Sequence, residues 1–129
     1  MWTHQFDPKS RIILVPVQVQ GPLGDVDLKF LVDTGTPVTI VNTAFADLLG
    51  CNAKTAKRRS RLWGTGGPQD GYVHDVVKLT MMGVVIEPCE LAFHDLDEEL
   101  GIDGLIGMDL LEGRTLTIDG KAGFVTLVP

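Results

Sequence analysis

The sequence predicts an all-β fold with one or two short helices, and two observations carry that prediction. Apolar and polar residues alternate over Val15 to Val19 and Val26 to Val32, the period of a half-buried strand, and further apolar β-prone runs follow. Turn-forming clusters such as Gly21-Pro22-Leu23-Gly24 and Asp119-Gly120-Lys121 punctuate these runs, while helical spacing appears only in short stretches. With 129 residues the chain is read as a single domain, 1–129. That length buries roughly two-thirds of the unfolded surface.

The elements follow in order. Arg11 to Gln20 is an apolar run ending in alternation, with Val15, Val17 and Val19 on one face. Pro16 within it cannot donate to a ladder and belongs at an edge or bulge. After the turn at 21–24, Val26, Leu28, Phe30 and Val32 alternate, so Asp25 to Val32 returns as the second arm of a hairpin and delivers the chain to Asp33. Val38 to Val41 is a third short strand. Asn42 or Thr43 then caps a brief helix whose apolar positions are Ala44, Phe45, Leu48 and Leu49, with Gly50 at the left-handed position past its end.

Lys54 to Arg61 holds five of the 11 basic residues and reads as a solvated face, or as a local attraction for acidic substrate segments. Leu62 to Tyr72 is glycine-dense and bracketed by aromatics; it lacks the Gly-Lys-Ser/Thr of a phosphate-binding loop and reads as a hairpin tip. Tyr72 to Thr80 and Val84 to Phe93 are strands joined by Met81-Met82-Gly83. Asp95 to Glu99 is a solvated loop or helix start. Gly101 to Leu111 is an apolar strand that ends in Gly107 and runs into a second helix. Thr115 to Ile118 and Phe124 to Val128 form a closing hairpin. Each half of the chain thus has a hairpin, an apolar strand reaching a glycine, and a short helix.

Composition excludes several functions. A net charge of -6 with a pI near 4.8 argues against a general nucleic-acid binder, which needs a positive footprint. No apolar run approaches the roughly 18 residues of a membrane span. The N-terminal residues show no basic segment followed by an apolar stretch, so a reducing, cytoplasmic setting is expected. Cys51 and Cys89 match neither a zinc nor a redox spacing and are read as free thiols. His74-Asp75 and His94-Asp95 have no third ligand at a recognisable spacing, so neither a metal nor another cofactor is expected.

One stretch carries chemistry. Strand formers on both sides place Asp33 at a turn in or beside the core, where an ionised carboxylate loses solvation and needs partners. Thr34 and Thr36 put hydroxyls beside it, and Gly35 permits backbone geometry closed to other residues. The plainer alternative is a β-turn whose Asp bonds its own backbone.

Taken with Gly104-Leu105-Ile106-Gly107-Met108-Asp109-Leu110-Leu111 downstream and the glycine-rich hairpin between, Asp33-Thr34-Gly35 resembles the retropepsin-like aspartic proteases, the group of retroviral proteases and their bacterial relatives. The resemblance spans about 100 residues by motif order. It implies a closed retropepsin-like β-barrel, active as a homodimer, in which the single Asp-Thr-Gly is half a site and two copies of Asp33 meet at the two-fold axis. Implied with it is an aspartic endopeptidase that acts on a peptide or protein, with no cofactor.

By the same resemblance Thr34 bonds across the dimer, Gly35 brings its backbone to the carboxylate, and Gly107 supports the loop. Trp63, Gly64, Thr65, Gly66 and Gly67 belong to a flap that closes over the peptide. Thr36 stands where the family more often has Ala or Ser; its hydroxyl is placed to bond the carboxylate and favour the ionised form. The alternative is a non-catalytic module of the same fold that dimerises or binds peptides.

Overall fold

The computed structural model describes residues 1–64 and 66–129. Among these residues twelve strands build two sheets. In chain order they are β1 (Trp2–Gln5), β2 (Leu14–Gln20), β3 (Asp25–Val32), β4 (Ile40–Asn42), β5 (Arg58–Gly64), β6 (Gly67–Val76), β7 (Lys78–Met81), β8 (Val84–Ile86), β9 (Cys89–His94), β10 (Gly104–Ile106), β11 (Thr115–Asp119) and β12 (Phe124–Val128). Two four-residue helices, α1 (Ala46–Leu49) and α2 (Met108–Leu111), follow β4 and β10 respectively.

Nine strands form one sheet in the order β5-β6-β9-β4-β10-β3-β2-β7-β8, and β1-β12-β11 form the other. These orders are linear: no ladder joins β5 to β8 among the described residues. The expected closed barrel is therefore replaced by two open sheets with a common core. Each has too few paired partners at its ends to abolish its edges, which closure alone does.

The β2–β3 hairpin forms as its alternation requires. Val15 faces Phe30, Val17 faces Leu28 and Val19 faces Val26 across the ladder. Val15, Val17, Val19 and Phe30 are sealed from solvent, and each such side chain contributes about 1.5–3 kcal/mol by leaving water. Pro16 stays within this ladder, yet it lies beyond the stretch of β2 that pairs with β7, which begins at Val17. Its missing N–H therefore falls where β2 has a partner on one side only.

Two expected long strands are each divided. The chain leaves the β6–β9 ladder after Val76 and begins pairing with β2 at Lys78, with the Val77 amide bonded to the Gln20 carbonyl at 2.8 Å. The second breaks at Glu87-Pro88, where Pro88 has no amide to donate. β1 was absent from the sequence-based expectation. Its Trp2 and His4 stack at 5.4 Å between ring centroids on one face, and it pairs with β12, whose Val125 and Leu127 are fully buried.

Past β4 the Asn42 side chain accepts from the Ala44 amide and caps a turn of 3-10 helix. Gly50 ends α1 at φ 78°, a backbone conformation that costs any residue with a Cβ. The basic run is largely matched within the chain. Lys57 pairs with Asp75 at 3.2 Å and Glu90 at 2.9 Å, Arg58 pairs with Glu90, and Arg61 holds Asp70 at 2.8 Å. Hydrogen bonds from Arg58 and Lys57 hold Glu90 below the usual carboxylate range, and Arg61 does the same for Asp70.

Both cysteines are buried and free. Burial, with Asp75 nearby, pushes the Cys51 thiol up to about 11; burial, then Asp109 and Glu90, pushes Cys89 up to about 12. The thiolate is the reactive form. At about pH 8 both thiols should therefore resist a colorimetric thiol reagent in the native protein and both should react once denaturant unfolds it. Rapid native labelling of either would contradict this packing.

Candidate active site

The residues around Asp33 are held by a strand from far along the chain. β10 inserts between β3 and β4, parallel to the first and antiparallel to the second, with Gly104 opposite both Phe30 and Val41. The strands on either side of the Asp33 turn are thus splinted by residues about seventy positions later. Asp103 adds to the splint: its carboxylate accepts from the Lys29 amide at 2.8 Å, and its own amide donates to the Lys29 carbonyl at 3.0 Å.

At the end of β3 the Asp33 amide donates to the Ile106 carbonyl at 3.0 Å, and the Thr36 amide closes the turn on the Asp33 carbonyl at 3.2 Å. The half-buried Asp33 carboxylate receives one donor on each oxygen. Oδ1 accepts from the Gly35 amide at 3.0 Å, and Oδ2 accepts from the Thr36 hydroxyl at 2.6 Å. The second is the short bond typical of a hydroxyl given to a charged acceptor. A Cβ at Gly35 would stand 3.3 Å from Oδ1, so the glycine lets the backbone close on the acid.

The sequence-predicted residues Asp33, Gly35, Thr36 and Gly107 are brought together. Gly107 sits where an added Cβ would meet the Val38 carbonyl carbon at 2.5 Å and its oxygen at 2.6 Å. Only glycine lets α2 approach the loop so closely. Thr34 is exposed, and its hydroxyl makes no hydrogen bond among the described residues.

The hairpin residues lie elsewhere. Trp63 and Gly64 end β5, opposite Pro68 and Gly67 on β6, at the sheet edge five strands from β3. Thr65 lies outside the described residues. Trp63 is 76% exposed, and it lines with Gly64, Gly66 and Gly67 an open concavity of about 530 Å³. No hydrogen bond among the described residues joins this tip to the Asp33 turn.

Two supporting residues escaped the sequence reading. Thr39 is 1% exposed, and its hydroxyl donates to Asp109 Oδ1 at 2.7 Å while accepting from the Gly107 amide at 3.0 Å. Asp109 also takes the Thr39 amide on Oδ2 at 3.1 Å and its own Leu110 amide on Oδ1 at 2.9 Å. The Met108 and Asp109 amides complete the seam on the Thr36 and Pro37 carbonyls at 2.8 and 3.1 Å. A lone hydroxyl inside Val38-Thr39-Ile40-Val41 was the available signal, because a buried hydroxyl requires a partner.

The histidines are engaged within the chain. His74 bonds the Thr55 hydroxyl at 2.8 Å and the Asp75 carbonyl at 2.7 Å, and His94 bonds the Ser60 hydroxyl at 2.9 Å. No cluster of three or more His, Cys, Asp or Glu side chains suited to a metal occurs among the described residues.

An aspartate held in a hydroxyl-lined turn and splinted by a glycine-ended strand is the arrangement of a retropepsin-like aspartic protease fold. Comparison with known proteins agrees. The family described as aspartyl protease matches residues 15–110, and the chain belongs to it. It is similar to the crystal structure of a retropepsin-like aspartic protease from Rickettsia conorii, with TM-score 0.70 and 19% identity over 98% of this chain and 96% of that one. It is also similar to EIAV protease complexed with the inhibitor HBY-793, with TM-score 0.60 and 20% identity over 83% and 91% of the two chains. Likeness at these identities establishes the fold. Among curated proteins, none matches the sequence.

The seam makes a thermodynamic prediction. Thr39→Val and Asp109→Ala should each lower stability by about 1–3 kcal/mol in urea unfolding, because each strands a polar group of the same network. The double variant should lose at least about 0.5 kcal/mol less than the sum of the two. Strict additivity would contradict a shared network.

Proposed function

We propose that this chain is a single-domain aspartic endopeptidase that acts as a homodimer. The observation that carries the reading is the Asp33 carboxylate: each oxygen has one donor from its own turn, and the half-buried group keeps acceptor capacity for a partner and a water. The sequence has a single Asp-Thr-Gly, so a second carboxylate must come from a second copy.

Two carboxylates about 3 Å apart at an effective dielectric near 20 repel by roughly 5 kcal/mol, so the pair holds one proton between them. This is the established behaviour of aspartic-protease dyads, applied here to two copies of Asp33. The ionised copy takes a proton from a bound water as the water oxygen attacks the scissile carbonyl carbon. The protonated copy gives its proton to the carbonyl oxygen. As the gem-diol collapses and the C–N bond breaks, one of its hydroxyls returns a proton to the copy that is now ionised, while the copy that took the water proton gives it to the leaving amine, so the pair again holds one proton. The residues supply both acid and base.

In this reading the Thr36 hydroxyl stabilises whichever copy is ionised. Thr34, with its hydroxyl exposed and unpartnered among the described residues, bonds across the two-fold axis. Trp63, Gly64, Gly66 and Gly67 cover the peptide, and Thr65 belongs to the same flap. The substrate is a peptide or protein segment. A second reading, a non-catalytic module that dimerises or binds peptide, draws on the satisfied Asx-type turn, in which Asp33 already bonds its own Gly35 and Thr36.

Asp33→Asn separates the two. Incubated with a peptide library between about pH 3 and pH 8, the range over which carboxylate dyads titrate, it should lose at least about a thousandfold in cleavage rate while keeping the wild-type mass and unfolding midpoint. Wild-type cleavage by the variant would contradict a catalytic Asp33, and peptide binding without cleavage by the unmodified protein would favour the module.

A further inference from the structure

The glycine-rich hairpin has an anchor that the proposed chemistry does not use. His94, the last residue of β9, is fully buried. It stands one position beyond the Tyr72–Phe93 pair of the β6–β9 ladder, in line with Gly71 on β6 and, across β6, with Ser60 on β5. Its ring passes over Gly71: a Cβ there would lie 2.6 Å from both Nδ1 and Cε1. Beyond Gly71, Nε2 meets the Ser60 hydroxyl at 2.9 Å. The imidazole is thus a strut across three strands, and the space it needs exists because residue 71 has no side chain.

The other ring nitrogen is the informative one. Nδ1 is buried and has no hydrogen-bond partner among the described residues. A buried lone pair without a donor costs less than a buried N–H without an acceptor. The neutral tautomer that fits places its proton on Nε2, which then donates to Ser60 Oγ. A second proton would have to sit on Nδ1, where no described residue accepts it.

The charges facing His94 are Asp70 on β6 and Asp95 just past β9, both of which attract a proton. Asp70 is taken up by Arg61 on β5 at 2.8 Å, Arg59 stands next to Ser60 on the same strand, and Asp95 receives the Thr43 hydroxyl. The Asp95 carbonyl holds a further hairpin residue, accepting from Gln69 Nε2 at 2.9 Å. Burial outweighs the two carboxylates and pushes the imidazole below its ordinary range.

We propose that His94 is a positioning residue for the β5–β6 hairpin: neutral, it ties Ser60 and seats the arm, and when protonated it releases the arm. The consequence for turnover rests on the protease reading, in which this hairpin covers the peptide; the strut itself does not. The sign follows from linkage. An imidazole held below its unfolded value near 6.5 gives full seating above that pH, and seating is lost as pH falls below it. The flap of this protein would then loosen in acid.

Amide hydrogen exchange on the full-length protein, corrected for intrinsic rates, tests the strut. From about pH 7.5 to about pH 5, protection across residues 58–72 should fall about tenfold more than across β2 and β3. Ser60→Ala should show low hairpin protection at both pH values, and His94→Gln, which cannot take up a proton, should remove the pH dependence. The KM of any cleaved peptide should rise at acid pH in the wild type and stay level in His94→Gln. A hairpin equally protected at both pH values, or Ser60→Ala indistinguishable from wild type, would overturn the proposal. If the wild type cleaves no peptide, the protease reading fails and the exchange data alone decide the strut.

Discussion

The insertion of β10 between β3 and β4 is the constraint from which the rest of the site follows. Asp33 occupies a four-residue turn that would be one of many conformers in an isolated hairpin, and ordering each residue costs about 1–2 kcal/mol. The Ile106 carbonyl fixes where the turn begins, and the Met108 and Asp109 amides fix where it ends. Gly107 permits the approach because it offers no side chain to the Val38 carbonyl. The final geometry of the turn therefore depends on the docking of residues 103–109, which ties a functional candidate to contacts between strands far apart in sequence.

Within that frame hydroxyls do the aiming. Thr36 and Thr39 lie on the same loop with opposite tasks: one holds the Asp33 carboxylate, the other fastens the loop to Asp109 and Gly107. In the basic segment that runs into β5, Lys57, Arg58 and Arg61 are matched to acids on β6 and β9. These pairs link β5 and the residue before it to the neighbouring strands, as the His94–Ser60 bond also does. The hairpin is thus tied to its neighbours at its base, while its Trp63 tip stays open to solvent.

Local rules made much of this legible. β3 and β12 run over the residues their alternation indicates, Gly50 takes the left-handed position, and Asp119 caps the last turn by accepting from the Lys121 and Ala122 amides. The Gly35 and Thr36 contacts with Asp33 could be read from spacing alone, since residues two and three positions on are within reach of a carboxylate in a turn. What escaped depends on partners distant in sequence. β1 is four residues long and stable only because β12 accepts it. The breaks at Val77 and Pro88 occur where the chain changes ladders, which no local period records. Closure of a barrel was implied by resemblance, and the strand pairing ends instead at β5 and β8. Thr39 and Asp109 are seventy residues apart, so neither announces the other. The Asp33 dyad, the dimer and the flap are readings of this geometry, supported by family membership.

The central claim is that Asp33 acts in pairs, and mixing tests it most directly. Peptide-cleavage rate should rise with the square of chain concentration when the protein is dilute and become linear when dimers saturate. Excess Asp33→Asn chain, exchanged into wild-type dimers, should suppress cleavage in proportion to the heterodimer formed. A rate linear at every concentration and indifferent to added variant would contradict the account.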